Sequence, residues 1–220
     1  MRRSRVFYFA CLLLLSVQQL AAQDAPFKNE IQNFRKQDSV HFPSKKAILF
    51  VGSSSFRLWR TVQESFPGYM IINRGFGGSS LPDVIRYAPE IIYPYQPKQV
   101  VIYCGENDFA SSDTVTAPTV FNRFRELFTG IREHLPQVPV AFVSIKPSPS
   151  RRHLLSKMEQ ANQLIKDFLG QQKHTAFIDV YPLMMQDGKP DTTLFLGDKL
   201  HMNEKGYAIW QKAIVPYLKK

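Results

Sequence analysis

Asp198 and His201, spaced Asp198-Lys199-Leu200-His201 near the C-terminus, could do chemistry together if a serine came within reach. One short turn can set a carboxylate against an imidazole nitrogen, which fixes the tautomer and leaves the other nitrogen free to take a hydroxyl proton. The run Gly52-Ser53-Ser54-Ser55 offers three candidate nucleophiles. Gly75-Phe76-Gly77-Gly78 and Gly105-Glu106-Asn107-Asp108 are two further loops of the kind that line a site. Each has a plain alternative: a solvated acid beside a satisfied histidine, a helix N-cap, a tight turn, an Asx turn. Three such loops in order, followed by the Asp-x-x-His pair, outweigh those separate readings.

The elements between them must bring these segments together. Five apolar runs, Ala47 to Val51, Tyr69 to Ile72, Val100 to Tyr103, Val138 to Ile145 and Ala176 to Val180, read as parallel strands covered on both faces. Helical patterns fall between and after them, at Phe56 to Ser65, Leu81 to Ile92, Ala117 to His134, Arg152 to Gln172 and Glu204 to Leu218. A further amphipathic helix, with Phe27, Ile31 and Phe34 on one face, packs ahead of the first strand. The alternation predicts an α/β chain, a three-layer α/β/α sandwich around a five-stranded parallel sheet of flavodoxin-like type. In such sheets ligands bind outside the carboxyl ends of the strands, so the Ser, Gly and Asn loops should converge on one crevice.

The chain resembles the SGNH, or GDSL-like, hydrolase family, nearest its platelet-activating-factor acetylhydrolase-like and lysophospholipase-like esterases, over almost the whole length after residue 22. Phe50-Val51-Gly52-Ser53-Ser54 matches the nucleophile block, Asn73-Arg74-Gly75-Phe76-Gly77-Gly78 the second, Gly105-Glu106-Asn107-Asp108 the third and Asp198 with His201 the last. The resemblance implies Ser54, His201 and Asp198 as the triad, and an oxyanion hole made by the Ser54 and Gly78 backbone and the Asn107 amide. Ser53 departs from the pattern, because it stands where the family has aspartate. Three adjacent serines then compete, and only the register of the motif selects Ser54. Phe56 excludes the Gly-x-Ser-x-Gly elbow, whose last glycine would fall there.

The other residues bound the setting. Arg2, Arg3 and Arg5 precede an apolar run from Val6 to Val17, and Leu20-Ala21-Ala22 precedes Gln23, the pattern of a secretory leader cleaved after Ala22. The run is too short for a bilayer span, which needs about 20 residues. The chain is therefore expected in secreted or periplasmic form, without stable membrane insertion. Residues 23–220 form one domain. Loss of three arginines and no acids takes the net charge from +10 to +7. That charge is scattered, which argues against nucleic acid as a partner. Of two cysteines only Cys104 survives cleavage, so no internal disulfide forms. Its place at the end of an apolar strand marks a buried thiol. No cluster of metal-ligating residues is visible, and no cofactor is required.

Several residues are set aside. Phe56 and Trp59 read as core or pocket wall alike, Arg151 and Arg152 as a solvated helix start, His41, His134, His153 and His174 as surface, and Asp108 and Asn203 as loop braces. The expected function is a serine esterase that hydrolyses short-acyl, foremost acetyl, esters of carbohydrates or small molecules through an acyl-enzyme. The alternatives are a lysophospholipase or thioesterase acting on longer chains, an O-acyltransferase, and a noncatalytic glycan-binding module. Ser111 to Pro118 is polar and Ser144 to Arg152 is rich in Pro and Ser, so no lid is expected over what should be a shallow, open pocket.

Overall fold

The computed structural model describes residues 25–220. The leader expected over residues 1–22 lies outside them. Five strands, β1 (Ile48–Gly52), β2 (Ile71–Gly75), β3 (Gln99–Tyr103), β4 (Val140–Val143) and β5 (Thr175–Ile178), form one sheet in the order β2-β1-β3-β4-β5. Every pairing is parallel. This is the expected three-layer sandwich, and its order places a topological switch point between β1 and β3. Gly52 pairs with both Gly75 and Tyr103, so the carboxyl ends of β1, β2 and β3 finish level with one another.

Alternation along the strands supplies both apolar layers. Leu49, Val51, Val100 and Ile102 face one core, and Ile48, Phe50, Val101 and Tyr103 face the other. The first face is covered by α1 (Lys28–Val40), α4 (Leu81–Ile91), α6 (Ala117–His134) and α7 (Leu155–Gly170). The second takes α2 (Ser54–Arg57), α3 (Val62–Ser65) and α8 (Glu204–Ile214). There Phe56, Tyr103 and Trp210 meet edge to face, with centroids 4.7–6.0 Å apart. Such aromatic pairs contribute about 0.5–1.5 kcal/mol each beyond their burial.

Four differences from the sequence reading have local causes. The single helix expected over Phe56 to Ser65 is two, because the Arg60 N–H turns back to the Leu58 carbonyl and ends the ladder. Strand β2 runs on through Asn73-Arg74-Gly75, where the polar motif residues hid a half-buried edge strand. Helix α5 (Glu106–Ser111) stands where a loop was expected, and six residues are too few to show a helical period. The hairpin of β6 (Met185–Gln186) and β7 (Lys189–Pro190) was not foreseen. Helix α6 matches its expected bounds; Pro118 in its first turn and the Thr116 N-cap, which accepts from Thr119 N–H, announce its start.

Candidate active site

Strand β1 ends at Gly52, and α2 starts two residues later. Ser53 and Ser55 are buried, whereas Ser54 at the first position of α2 is partly open. His201 Nε2 lies 3.1 Å from Ser54 Oγ. His201 Nδ1 lies 2.6 Å from Asp198 Oδ2. The three adjacent serines are thus separated by geometry, and Ser54 is the one aligned with the imidazole.

The Asp-x-x-His turn is built to hold that alignment. Asp198 Oδ1 accepts the backbone N–H groups of Leu200 and His201 at 2.9 and 3.0 Å, so one carboxylate oxygen closes the turn while the other takes the ring. Lys199 between them has φ 57°, the left-handed conformation such a turn demands. Partial burial pushes the Asp198 carboxyl up, but the Leu200 and His201 hydrogen bonds outweigh it and hold the group at about 2. Asp198 is therefore a carboxylate at any working pH. The ring receives a charged acceptor on Nδ1, which leaves Nε2 as the nitrogen facing serine.

The two glycine-bearing loops leave β2 and β3 at the same level of the sheet as Gly52. Gly78 is exposed with φ 76°. Gly105 (φ 119°) precedes α5, and Asn107 in its first turn is partly open. Asn107 Nδ2 spends one hydrogen on the Ser79 carbonyl at 3.0 Å, and Oδ1 accepts from Arg151 Nη2 at 2.9 Å. A second Nδ2 hydrogen remains to be donated. Ser54 and Asn107 follow β1 and β3, the two strands that flank the switch point.

Arg151 corrects the sequence reading. The sequence reads it, with Arg152, as a solvated helix start, but its side chain is only 16% exposed, while Arg152 is open. The sequence also missed Glu106, Lys146 and Ser148, all buried. Glu106 Oε2 accepts from Lys146 Nζ at 2.9 Å and Tyr103 OH at 2.7 Å, and Oε1 accepts from Ser148 Oγ at 3.0 Å. Burial would raise the Glu106 carboxyl, yet Lys146 and Arg151 hold it below its ordinary value. A Glu in the Gly-x-Asn-Asp block and a lone Lys in an apolar strand end were the available signals. Glu30 of α1 was missed as well: it pairs with Arg57 at 2.6 Å and accepts the Gly77 N–H at 3.3 Å, bracing the glycine loop from outside.

The remaining residues sit as expected. Asp108 accepts from Leu81 N–H and Arg123, and Asn203 caps α8 through the Lys205 and Gly206 N–H groups. His41, His134, His153 and His174 are exposed. Phe56 and Trp59 are core. Burial pushes the Cys104 thiol well up, which makes it a poor nucleophile.

A partly open serine, an imidazole and a carboxylate in hydrogen-bonded line at the switch point of a parallel sheet define a serine-hydrolase type of site on an α/β/α fold. The chain belongs to the GDSL-like lipase/acylhydrolase family, whose model matches residues 50–209, and so to a family of carboxylic ester hydrolases. It is 25% identical over 169 residues to the platelet-activating factor acetylhydrolase IB subunit alpha1 of Pongo abelii, covering 73% of this chain and 70% of that one. Among solved structures it resembles a Streptococcus pneumonia protein described as a platelet activating factor, at TM-score 0.75 and 19% identity over 87% of this chain and 92% of that one. It also resembles a catalytic mutant of an acetylxylan esterase from Geobacillus stearothermophilus, at TM-score 0.63 and 15% identity over 80% and 94%. Helix α1, which carries Glu30, lies before the matched residues.

Proposed function

We propose that this protein is an exported serine esterase that removes short acyl groups, acetyl foremost, from carbohydrate or small-molecule esters. The observation that carries the reading is the line Ser54 Oγ, His201, Asp198, with Asn107 opposite. Ser54 Oγ attacks the ester carbonyl as His201 Nε2 takes its proton, and Asp198 stabilises the imidazolium. The carbonyl oxygen turns negative and meets the Ser54 and Gly78 N–H groups and the free Nδ2 hydrogen of Asn107. His201 then protonates the leaving alcohol. Water, deprotonated by the same imidazole, releases the acid from the acyl-enzyme and restores Ser54. None of these steps draws on a cofactor. The leader pattern in residues 1–22 supports export, and the acetyl preference is supported by the activities named for the Pongo abelii and Geobacillus stearothermophilus proteins.

A second reading has an observation behind it. An open groove of about 560 Å³, walled by Leu58, Trp59, Leu196, Met202 and Tyr207, lies on the segment that follows Ser54 and on those that flank Asp198 and His201. None of the triad side chains lines it. An acyl chain reaching that groove would gain about 0.8 kcal/mol per buried CH₂, which favours a longer-chain hydrolase. The p-nitrophenyl ester series decides between them: the acetate is expected to give a higher kcat/KM than the octanoate or decanoate, with acetylated sugars turned over as well. A steady rise from acetate to decanoate transfers the assignment to the long-chain reading.

The pH profile tests the base. Protonated His201 cannot accept the serine proton, so kcat/KM is expected to be low in acid, to rise as the ring loses one proton, and then to level off. Asp198, held at about 2, stays ionised across that range and adds no second step. The logarithmic plot should therefore climb with a slope of one. A flat profile, or a slope of two, is incompatible with this pair.

A further inference from the structure

Both halves of the site are fastened to a segment outside the four family blocks, the run from Lys146 to Arg151 after β4. Lys146 Nζ donates to the Leu200 carbonyl, beside His201, at 3.0 Å, and the Ser150 N–H donates to the Lys199 carbonyl at 3.0 Å. The same segment grips Glu106 through Lys146 and Ser148, and Asn107 through Arg151. Glu106 and Asn107 are neighbours at the start of α5, so the oxyanion donor and the histidine turn hang from one buried cluster.

The donor chemistry fixes which way the Asn107 amide points. A guanidinium has no acceptor, so Arg151 must face Oδ1. The Ser79 carbonyl has no hydrogen, so it must face Nδ2. A flipped amide would lose both bonds. The charge count adds a second effect: Glu106 brings one negative charge, while Lys146 and Arg151 bring two positive ones. Lys146 meets the carboxylate at hydrogen-bond distance, whereas Arg151 Nη1 stands 3.9 Å from it, buried and without a hydrogen bond. The hydrogen bond that the guanidinium does make runs from Nη2 to the amide oxygen, where a charged donor draws density from Nδ2 and makes its free hydrogen a stronger donor.

We propose that Arg151 is a positioning residue for the oxyanion hole: through Asn107 it orients and polarises the amide that meets the transition state. This rests on the serine-esterase reading of the site. The test is a double-mutant cycle on p-nitrophenyl acetate, with fluorophosphonate labelling of each variant and its thermal unfolding as the folding control. Asn107→Ala is expected to lower kcat roughly 10²–10³-fold. Arg151→Met is expected to lower kcat about 10–10²-fold with KM within about threefold, and Arg151→Lys to recover part of the loss, because a lysine supplies charge but not the planar fork. The double variant should be no slower than Asn107→Ala within about threefold, since Arg151 has nothing left to act through. If Arg151→Met unfolds, Arg151→Lys enters the cycle in its place. Multiplying losses, an effect confined to KM, or an unchanged kcat in the Arg151 variant overturns the proposal alone. A wild-type protein that neither labels nor turns over esters overturns the esterase reading with it.

Discussion

Ser54→Ala is expected to lower kcat by roughly 10³–10⁶ while the thermal unfolding midpoint stays within a few degrees, because it deletes the covalent route and one partly exposed oxygen. Packing is hardly touched: the hydroxyl lies at the start of a four-residue helix and its hydrogen-bond partner is His201. The neighbours give the contrast. Ser55 is buried, and Ser53, equally buried, joins β1 to α2 through its backbone N–H on the Tyr103 carbonyl and the Phe56 and Arg57 N–H groups on its own carbonyl. Neither Ser53→Ala nor Ser55→Ala removes the atom opposite the imidazole, so both should retain turnover and label with a fluorophosphonate. Labelling that survives in Ser54→Ala and vanishes in Ser55→Ala would reassign the nucleophile.

The same residues show what was legible beforehand. The five strands carry their own signal, since Ile48 to Val51 and Val100 to Tyr103 are apolar on both faces and only a covered parallel sheet buries both. The convergence of three loops follows from that fold class, and the register of the family motifs, not the fold, picked Ser54, Gly78, Asn107, Asp198 and His201 as the candidates. The choice among three serines could not be made from residue types, because it depends on which face of α2 meets a turn 147 residues further on. Arg151 was misread for a related reason. Burial of a charge is decided by partners, and those of Arg151 are Asn107 and Glu106, 44 and 45 positions away in sequence. A Pro-Ser-Pro-Ser-Arg-Arg run looks solvated, yet only Ser150 and Arg152 in it are exposed. The candidate site residues stand in short motifs, whereas those that hold them are scattered over α1, α5 and the segment between β4 and α7.

Gly52→Ala is expected to produce the largest loss of stability of any single methyl addition in the site, at least about 3 kcal/mol, out of the roughly 5–15 kcal/mol that holds a typical domain. Gly52 has φ 135°, a conformation side chains rarely adopt, and an added Cβ would stand 1.8 Å from the Tyr103 carbonyl oxygen and 2.7 Å from its carbon. The obstacle is backbone, so no rotamer change relieves it; β1 and β3 must part at the switch point itself. That separation breaks more than one contact. The Ser53 N–H donates to the same Tyr103 oxygen, and the Gly52 carbonyl accepts from Phe76 N–H and Ser79 Oγ, which set the glycine loop. The serine turn and the glycine loop are thus keyed to one residue with no side chain. The variant should unfold at least about 6 °C lower by calorimetry. Below that transition it should still show reduced kcat, because Ser54 and Gly78 are displaced together. An alanine variant that melts within two or three degrees of the parent, with full activity, would mean that the β1–β3 approach is looser than the structure has it.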